Sequence, residues 1–152
     1  MSLTAGALGS VFQPGFSAIG GPGEAPNRIY GAGAYADVRF SRWVQFEGEG
    51  RWMHLNTLYG VNEDTYLAGP RIPLHTFHFL RATPYAKALV GLGYGKFLTN
   101  PALTVAYGGG VDLRLTKKIS IRAGDFEYQQ WRVTPTTLWP YGVSVGIGYK
   151  IF

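Results

Sequence analysis

Two stretches decide the fold: Tyr30-Gly31-Ala32-Gly33-Ala34-Tyr35-Ala36-Asp37-Val38-Arg39-Phe40 and, after Ser41-Arg42-Trp43, Val44-Gln45-Phe46-Glu47-Gly48-Glu49-Gly50-Arg51-Trp52. Taken at alternate positions, each splits into two unlike sets. Tyr30, Ala32, Ala34, Ala36, Val38 and Phe40 continue as Val44, Phe46, Gly48, Gly50 and Trp52 without a single charge, whereas Asp37, Arg39, Glu47, Glu49 and Arg51 fall on the opposite parity. Period-two segregation is the signature of a β-strand whose faces meet different surroundings. Pairing the stretches through a three-residue turn sets Phe40 against Val44 and Arg39 against Gln45, so like faces stay together; a two-residue turn would mismatch every pair.

The same alternation runs the length of the chain and predicts eight strands, near 3–13, 28–40, 44–55, 65–78, 83–97, 102–115, 119–131 and 141–152. Their connections alternate in length. Residues 14–27, 56–64 and 132–140 form long links and 98–101 a modest one, while 41–43, 80–82 and 116–118 are short. The turn at 116–118 pairs Leu115 with Ile119, Arg114 with Ser120 and Asp112 with Arg122, which brings an acid opposite a base. Pro70 and Pro73 predict an irregular stretch in the fourth strand. In the seventh, Asp125 and Glu127 have the wrong parity relative to Arg122, which leaves two readings: a bulge near Gly124, or acids lying beyond the lipid at the outer rim.

Eight strands with alternating tight and long connections describe a closed up-and-down antiparallel barrel, a single domain over residues 1–152. Periodicity does not say which face is inside. Across the remaining strands the charge-bearing parity adds Lys87, Asp112, Arg114, Arg122 and Lys150, and the other parity is apolar. That apolar face is rich in Ala and Gly, which would leave cavities inside a narrow barrel but suits lipid tails. Its aromatics also fall toward strand ends: Tyr30, Phe40, Phe46, Trp52, Tyr94, Tyr107, Tyr141 and Tyr149 read as a girdle at two lipid–water interfaces. One lysine or arginine facing lipid at the midplane costs about 2–4 kcal/mol, so six misdirected bases would exceed the stability of a domain. The charged face therefore points inward. Asp37, Arg39, Glu47, Glu49, Arg51, Lys87, Asp112, Arg114, Arg122 and Lys150 are expected to pair into an interior network weighted toward the tight-turn half.

Composition excludes several classes. No run approaches the ~20 apolar residues of a membrane-spanning helix. The formal charge is +5, but no lysine or arginine cluster marks a nucleic-acid surface. There is no cysteine, hence no disulfide framework or thiolate metal site. Met1-Ser2-Leu3-Thr4 lacks the charged and apolar regions of a secretory signal and is taken as a mature start.

The segments Tyr66-Leu67-Ala68-Gly69-Pro70-Arg71, Thr83-Pro84-Tyr85-Ala86-Lys87-Ala88-Leu89-Val90-Gly91, Gly108-Gly109-Gly110-Val111-Asp112-Leu113-Arg114-Leu115 and Gly146-Ile147-Gly148-Tyr149-Lys150-Ile151-Phe152 resemble, in order and spacing, the small bacterial outer-membrane β-barrel proteins, the group of the outer membrane protein A membrane domain and outer membrane protein X. The resemblance spans nearly the whole chain. It implies an outer-membrane location with periplasmic termini, contact with membrane lipid and lipopolysaccharide, and insertion by the barrel-assembly machinery through the C-terminal strand. Phe152 is similar to the family's terminal aromatic, shifted by one residue from the lipid-facing parity of Tyr149 and Ile151. Family members often carry a soluble periplasmic domain after the barrel; with Phe152 as the last residue, none is expected here.

Candidate chemistry is thin. His75 and His78 would face opposite sides of a strand and cannot share a metal, and His54 at the rim has no serine beside it in the third strand or the loop that follows. The glycine runs at 91–95 and 108–110 lack the helix that a phosphate-cradling loop requires; they make room for interior side chains such as Tyr85 or Arg114. Glu47 and Glu49, about 7 Å apart by strand rise, suit a glycosidase pair but lie inside a filled barrel. The reading is a monomeric, non-enzymatic outer-membrane barrel without cofactor or metal, acting as an envelope anchor or through its outer loops on a surface. The alternatives are a soluble lipocalin-like carrier of an apolar ligand and, third, an outer-membrane lipid-modifying enzyme or a narrow channel.

Overall fold

The computed structural model describes residues 1–13, 28–55, 62–96, 98–133 and 136–152. The long links expected at 14–27 and 56–64 lie wholly or largely outside these residues. Among the described residues nine strands form one antiparallel sheet: β1 (Ser2–Gln13), β2 (Ile29–Arg39), β3 (Gln45–Leu55), β4 (Glu63–Pro73), β5 (Ala82–Tyr94), β6 (Ala102–Arg114), β7 (Ile119–Val133), β8 (Thr136–Leu138) and β9 (Tyr141–Lys150). Each long strand pairs with its sequence neighbour, and β9 pairs with both β7 and β1, which closes the sheet on itself. Short β8 and long β9 lie along the same side of β7, so together they are one stave interrupted at Trp139-Pro140. Pro140 has no N–H to give the ladder, though its carbonyl still accepts from the Gln129 amide at 2.8 Å. The barrel thus has eight staves.

Two of the three tight turns read from the sequence have a local cause. Ser41 Oγ accepts the amides of Trp43 and Val44, each at 3.1 Å, and Thr116 Oγ1 accepts those of Lys118 and Ile119 at 3.2 and 2.9 Å. A hydroxyl that satisfies two turn amides fixes the chain reversal and with it the register. Arg39 faces Gln45, and Asp112 faces Arg122, as the alternation requires.

Several expectations are corrected. The fourth strand ends at Pro73 and does not reach 78, because Pro73 closes its ladder. Beyond it a hairpin tip projects, held by Leu74 N–H to Pro84 O at 2.8 Å and turned by Arg81 at φ 51°. The turn lies at 78–81, where 80–82 was expected, and His75 and His78 are exposed on this tip rather than on a strand. The irregular stretch expected at Pro70 is present as a lapse in the pairing of β4 with β5 at Gly69 and Pro70, which resumes in the same register at Arg71 opposite Lys87. The long loop expected at 132–140 is replaced by extension of β7 to Val133, paired with β8.

The open question in β7 resolves as a bulge. Asp112 opposes Arg122 and Val111 opposes Gly124, so Ala123 is an extra residue that returns Asp125 and Glu127 to the inner face. The bulge sits one residue before Gly124.

Candidate functional site

Inward-facing charges make the densest chemistry in the molecule. At their centre lies Lys87 of β5. Its Nζ stands 3.1 Å from Glu47, 3.0 Å from Glu49, 2.8 Å from Asp125 and 2.8 Å from Glu127, so four carboxylates from β3 and β7 surround one ammonium. Glu47, Glu49 and Asp125 have oxygens grouped closely enough to hold a metal ion, and the ammonium fills that position.

Two arginines extend the network toward the tight-turn end. Arg122 reaches Glu47 at 2.9 Å, Asp37 at 3.1 Å and Asp125 at 3.4 Å. Arg71 binds Asp37 at 2.5 Å and also Asp112. Both guanidiniums lie on tyrosine rings, Arg122 3.8 Å from the centroid of Tyr35 and Arg71 3.7 Å from that of Tyr85, an arrangement that cations favour over aromatic faces. Toward the long-loop end, Arg51 bonds Glu49 and Glu127, each at 2.6 Å. The chain of donors continues from Gln129 Nε2 to Glu127 at 2.6 Å and from Trp131 Nε1 to Gln129 at 2.8 Å. Above Arg51 the interior turns apolar with Phe12, Ile29 and Met53 in one cluster.

Of the ten residues read from the sequence as this network, Asp37, Glu47, Glu49, Arg51, Lys87 and Arg122 are buried within it, and Asp112 is at its edge. Arg39, Arg114 and Lys150 are exposed at the tight-turn mouth and form no ion pair among the described residues. The sequence reading missed Arg71, hidden in a proline-broken strand, and left Asp125 and Glu127 undecided because their parity depends on the bulge. Buried Glu63 on β4 was also missed.

Outside, all eight girdle candidates are exposed: Tyr30, Phe40, Phe46, Trp52, Tyr94, Tyr107, Tyr141 and Tyr149. Trp52 donates to the Tyr66 hydroxyl at 2.9 Å, and the Tyr66 ring meets Tyr94 edge-on at 5.8 Å. Tyr107, mid-strand on β6, joins Tyr128 and Trp139 in a second group with centroids 5.9 and 5.7 Å apart. Among described outward strand positions between the two ends, none is charged; Asp64 and Arg132 carry charge near the long-loop end. His54 also sits there, exposed and bonded to Asp64 at 2.7 Å. At Gly93, an added methyl would come within 2.7 Å of Thr104 Oγ1 and 2.8 Å of the Trp131 ring, so that glycine leaves room for an interior side chain.

No protein-family description matches the chain, and no curated protein resembles it in sequence. Solved structures do resemble it in fold. Neisserial surface protein A superposes with a TM-score of 0.76 at 13% identity, covering 99% of this chain and 96% of its own. The N-terminal β-barrel domain of Pseudomonas aeruginosa OprF gives 0.60 at 12% identity over 99% and 97%. Ail, the attachment invasion locus protein of Yersinia pestis, gives 0.59 at 16% identity over 99% and 97%, and has also been solved with the heparin analogue sucrose octasulfate. The fold is that of an eight-stranded transmembrane β-barrel. At these identities the likeness concerns architecture, and it accounts for an arrangement opposite to that of a water-soluble barrel: charge within, apolar surface without.

Proposed function

We propose that this chain is a non-enzymatic, monomeric integral protein of a bacterial outer membrane, one barrel over residues 1–152, that anchors its long-loop end at the cell surface. The observation that carries this is the pairing of an outward face without mid-strand charge with an interior where four cations and six carboxylates are gathered into ion pairs. Facing water, that outward surface would be an apolar patch far above the few hundred Å² that soluble monomers tolerate. Tight turns and both termini then face the periplasm, and the long links face outward, where lipid, lipopolysaccharide or a host surface is in reach. β9 is the strand offered to the barrel-assembly machinery, and Ile151 and Phe152 are exposed beyond it.

A carrier of apolar ligands would need an open apolar interior, and this one is charged around Lys87 and packed with side chains around Phe12. An open pore is disfavoured too, because the Lys87 network and the Phe12 cluster fill successive levels. The test is purification with and without uncharged detergent, followed by circular dichroism and gel migration of boiled and unboiled samples. β-Structure that requires detergent, with migration that shifts on boiling, is the expected result. A monodisperse β-protein in plain buffer would overturn the reading.

A further inference from the structure

The tight-turn end of the barrel opens into a cavity of about 410 Å³ whose lining is strongly basic. Arg39, Arg71, Arg114, Lys117, Lys118 and Lys150 line it, against only two acids, Asp37 and Asp112. Both acids are already engaged. Asp37 is paired with Arg71 and Arg122, and Asp112 with the same two guanidiniums. Lys118 rests its ammonium 5.8 Å from the Tyr149 ring.

The remaining cations have no direct ion-pair partner. Among the described residues, Arg39, Arg114, Lys117 and Lys150 form no ion pair. Arg39 is bonded to a neutral partner: the Gln45 carboxamide, turned so that its oxygen faces the guanidinium, accepts from it at 2.7 and 2.8 Å. Arg39 also lies within electrostatic range of Arg114 and Arg71, and more weakly of Asp112 and Asp37, so cations outnumber acids around one concave space. Low-dielectric walls around a cleft of one sign concentrate the field and raise the local concentration of counter-ions.

We propose that this mouth is a binding site for a small, multiply charged phosphate-type anion. Guanidinium forks match phosphoryl oxygens with two parallel hydrogen bonds, and the ammonium groups add point charge. Hydroxyls of Thr4, Thr83 and Ser120, which also line the cavity, are further donors. The volume falls in the range of small-molecule sites, roughly 300–1,000 Å³. It admits a pyrophosphate or a short phosphoester and excludes a folded partner. The strands separate the space from the acyl-chain region, which favours a free anion over a lipid headgroup. The site draws on the proposed membrane orientation only for the source of the anion.

Calorimetric titration of the whole chain with inorganic pyrophosphate in maltoside micelles at low salt tests the site. Saturable binding is expected, weakened at least about tenfold by Arg39→Gln with Arg114→Gln, as loss of two charge-assisted contacts requires. Lys96→Gln with Arg132→Gln, both outside the mouth, should leave the affinity unchanged. No saturable heat, or equal weakening by both double variants, overturns the proposal. A second titration in nanodiscs assigns the source: pyrophosphate binding lost only when phosphatidylglycerol is present means that a headgroup takes the same phosphoryl site, and binding kept means a free anion. Boiling-dependent gel migration of each sample reports the membrane-barrel reading separately, so failure of one is not failure of the other.

Discussion

Lys87 on β5 and Asp125 on β7 meet across the barrel interior, Nζ to Oδ2 at 2.8 Å, although β6 lies between their strands. A contact between non-adjacent staves cannot come from the backbone ladder; it exists because side chains reach over β6, whose facing residue, opposite Lys87, is Gly108. Removing the ammonium leaves Glu47, Glu49, Asp125 and Glu127 crowded without their common partner. Lys87→Met is therefore expected to lower stability by about 3–5 kcal/mol, the scale for breaking a buried ion pair. Adding Glu127→Gln should recover part of that loss. Urea unfolding in lipid vesicles at neutral pH measures both, and an undiminished single variant would sink the central role given to Lys87.

Ala123 is the extra residue of the β7 bulge, and it is why Asp125 and Glu127 share the inner face with Arg122 despite their opposite parity in the sequence. Deleting Ala123 lets Gly124 follow Arg122 in a regular ladder, opposite the same β6 partners. Both carboxylates then keep the inner face, and Lys87 keeps all four of its partners. The expected outcome is a deletion variant that retains the heat-shifted folded band. Loss of that band would show that the barrel needs the bend of the bulge itself, and not only the facing of Asp125 and Glu127.

Strand order, both tight-turn registers and the sidedness of most charges were legible from alternation alone, since period two is a property of the backbone and survives without tertiary information. What resisted reading was wherever that period breaks. Asp125 and Glu127 kept two interpretations because an inserted residue and a rim position produce the same pattern. Arg71 was overlooked because Pro70 and Pro73 argue against a regular strand, yet the register holds through the gap. Arg39, Arg114 and Lys150 have the inward parity and still stay out of the network. Parity fixes a face, but depth along the barrel decides whether a partner is in reach.

Gly93 is opposed to Ala102 on β6, and the Trp131 ring lies over it. Gly93→Ala should displace an indole that is also bonded to Gln129, at a cost of about 1–3 kcal/mol for overpacking. Trp131→Leu in the same chain should relieve the clash. Thermal or urea midpoints of the two single variants and the double variant form a cycle; strict additivity would show that the glycine is there for another reason.

The four tryptophans occupy distinct environments: Trp131 is fully buried inside, Trp52 and Trp139 are about two-fifths exposed on the outer wall, and Trp43 lies in the tight turn after β2. If the outer wall meets lipid, single-tryptophan variants in vesicles containing doxyl-labelled lipids should differ in a fixed order. Trp52 and Trp139 are expected to be quenched most strongly by a label near the headgroups, where aromatic side chains of membrane barrels gather. Trp131, screened by the strands, should keep most of its emission at every label depth. An unquenched Trp52 beside a quenched Trp131 would require the barrel to be turned inside out, and with it the placement of every charge on the Lys87 side of the sheet.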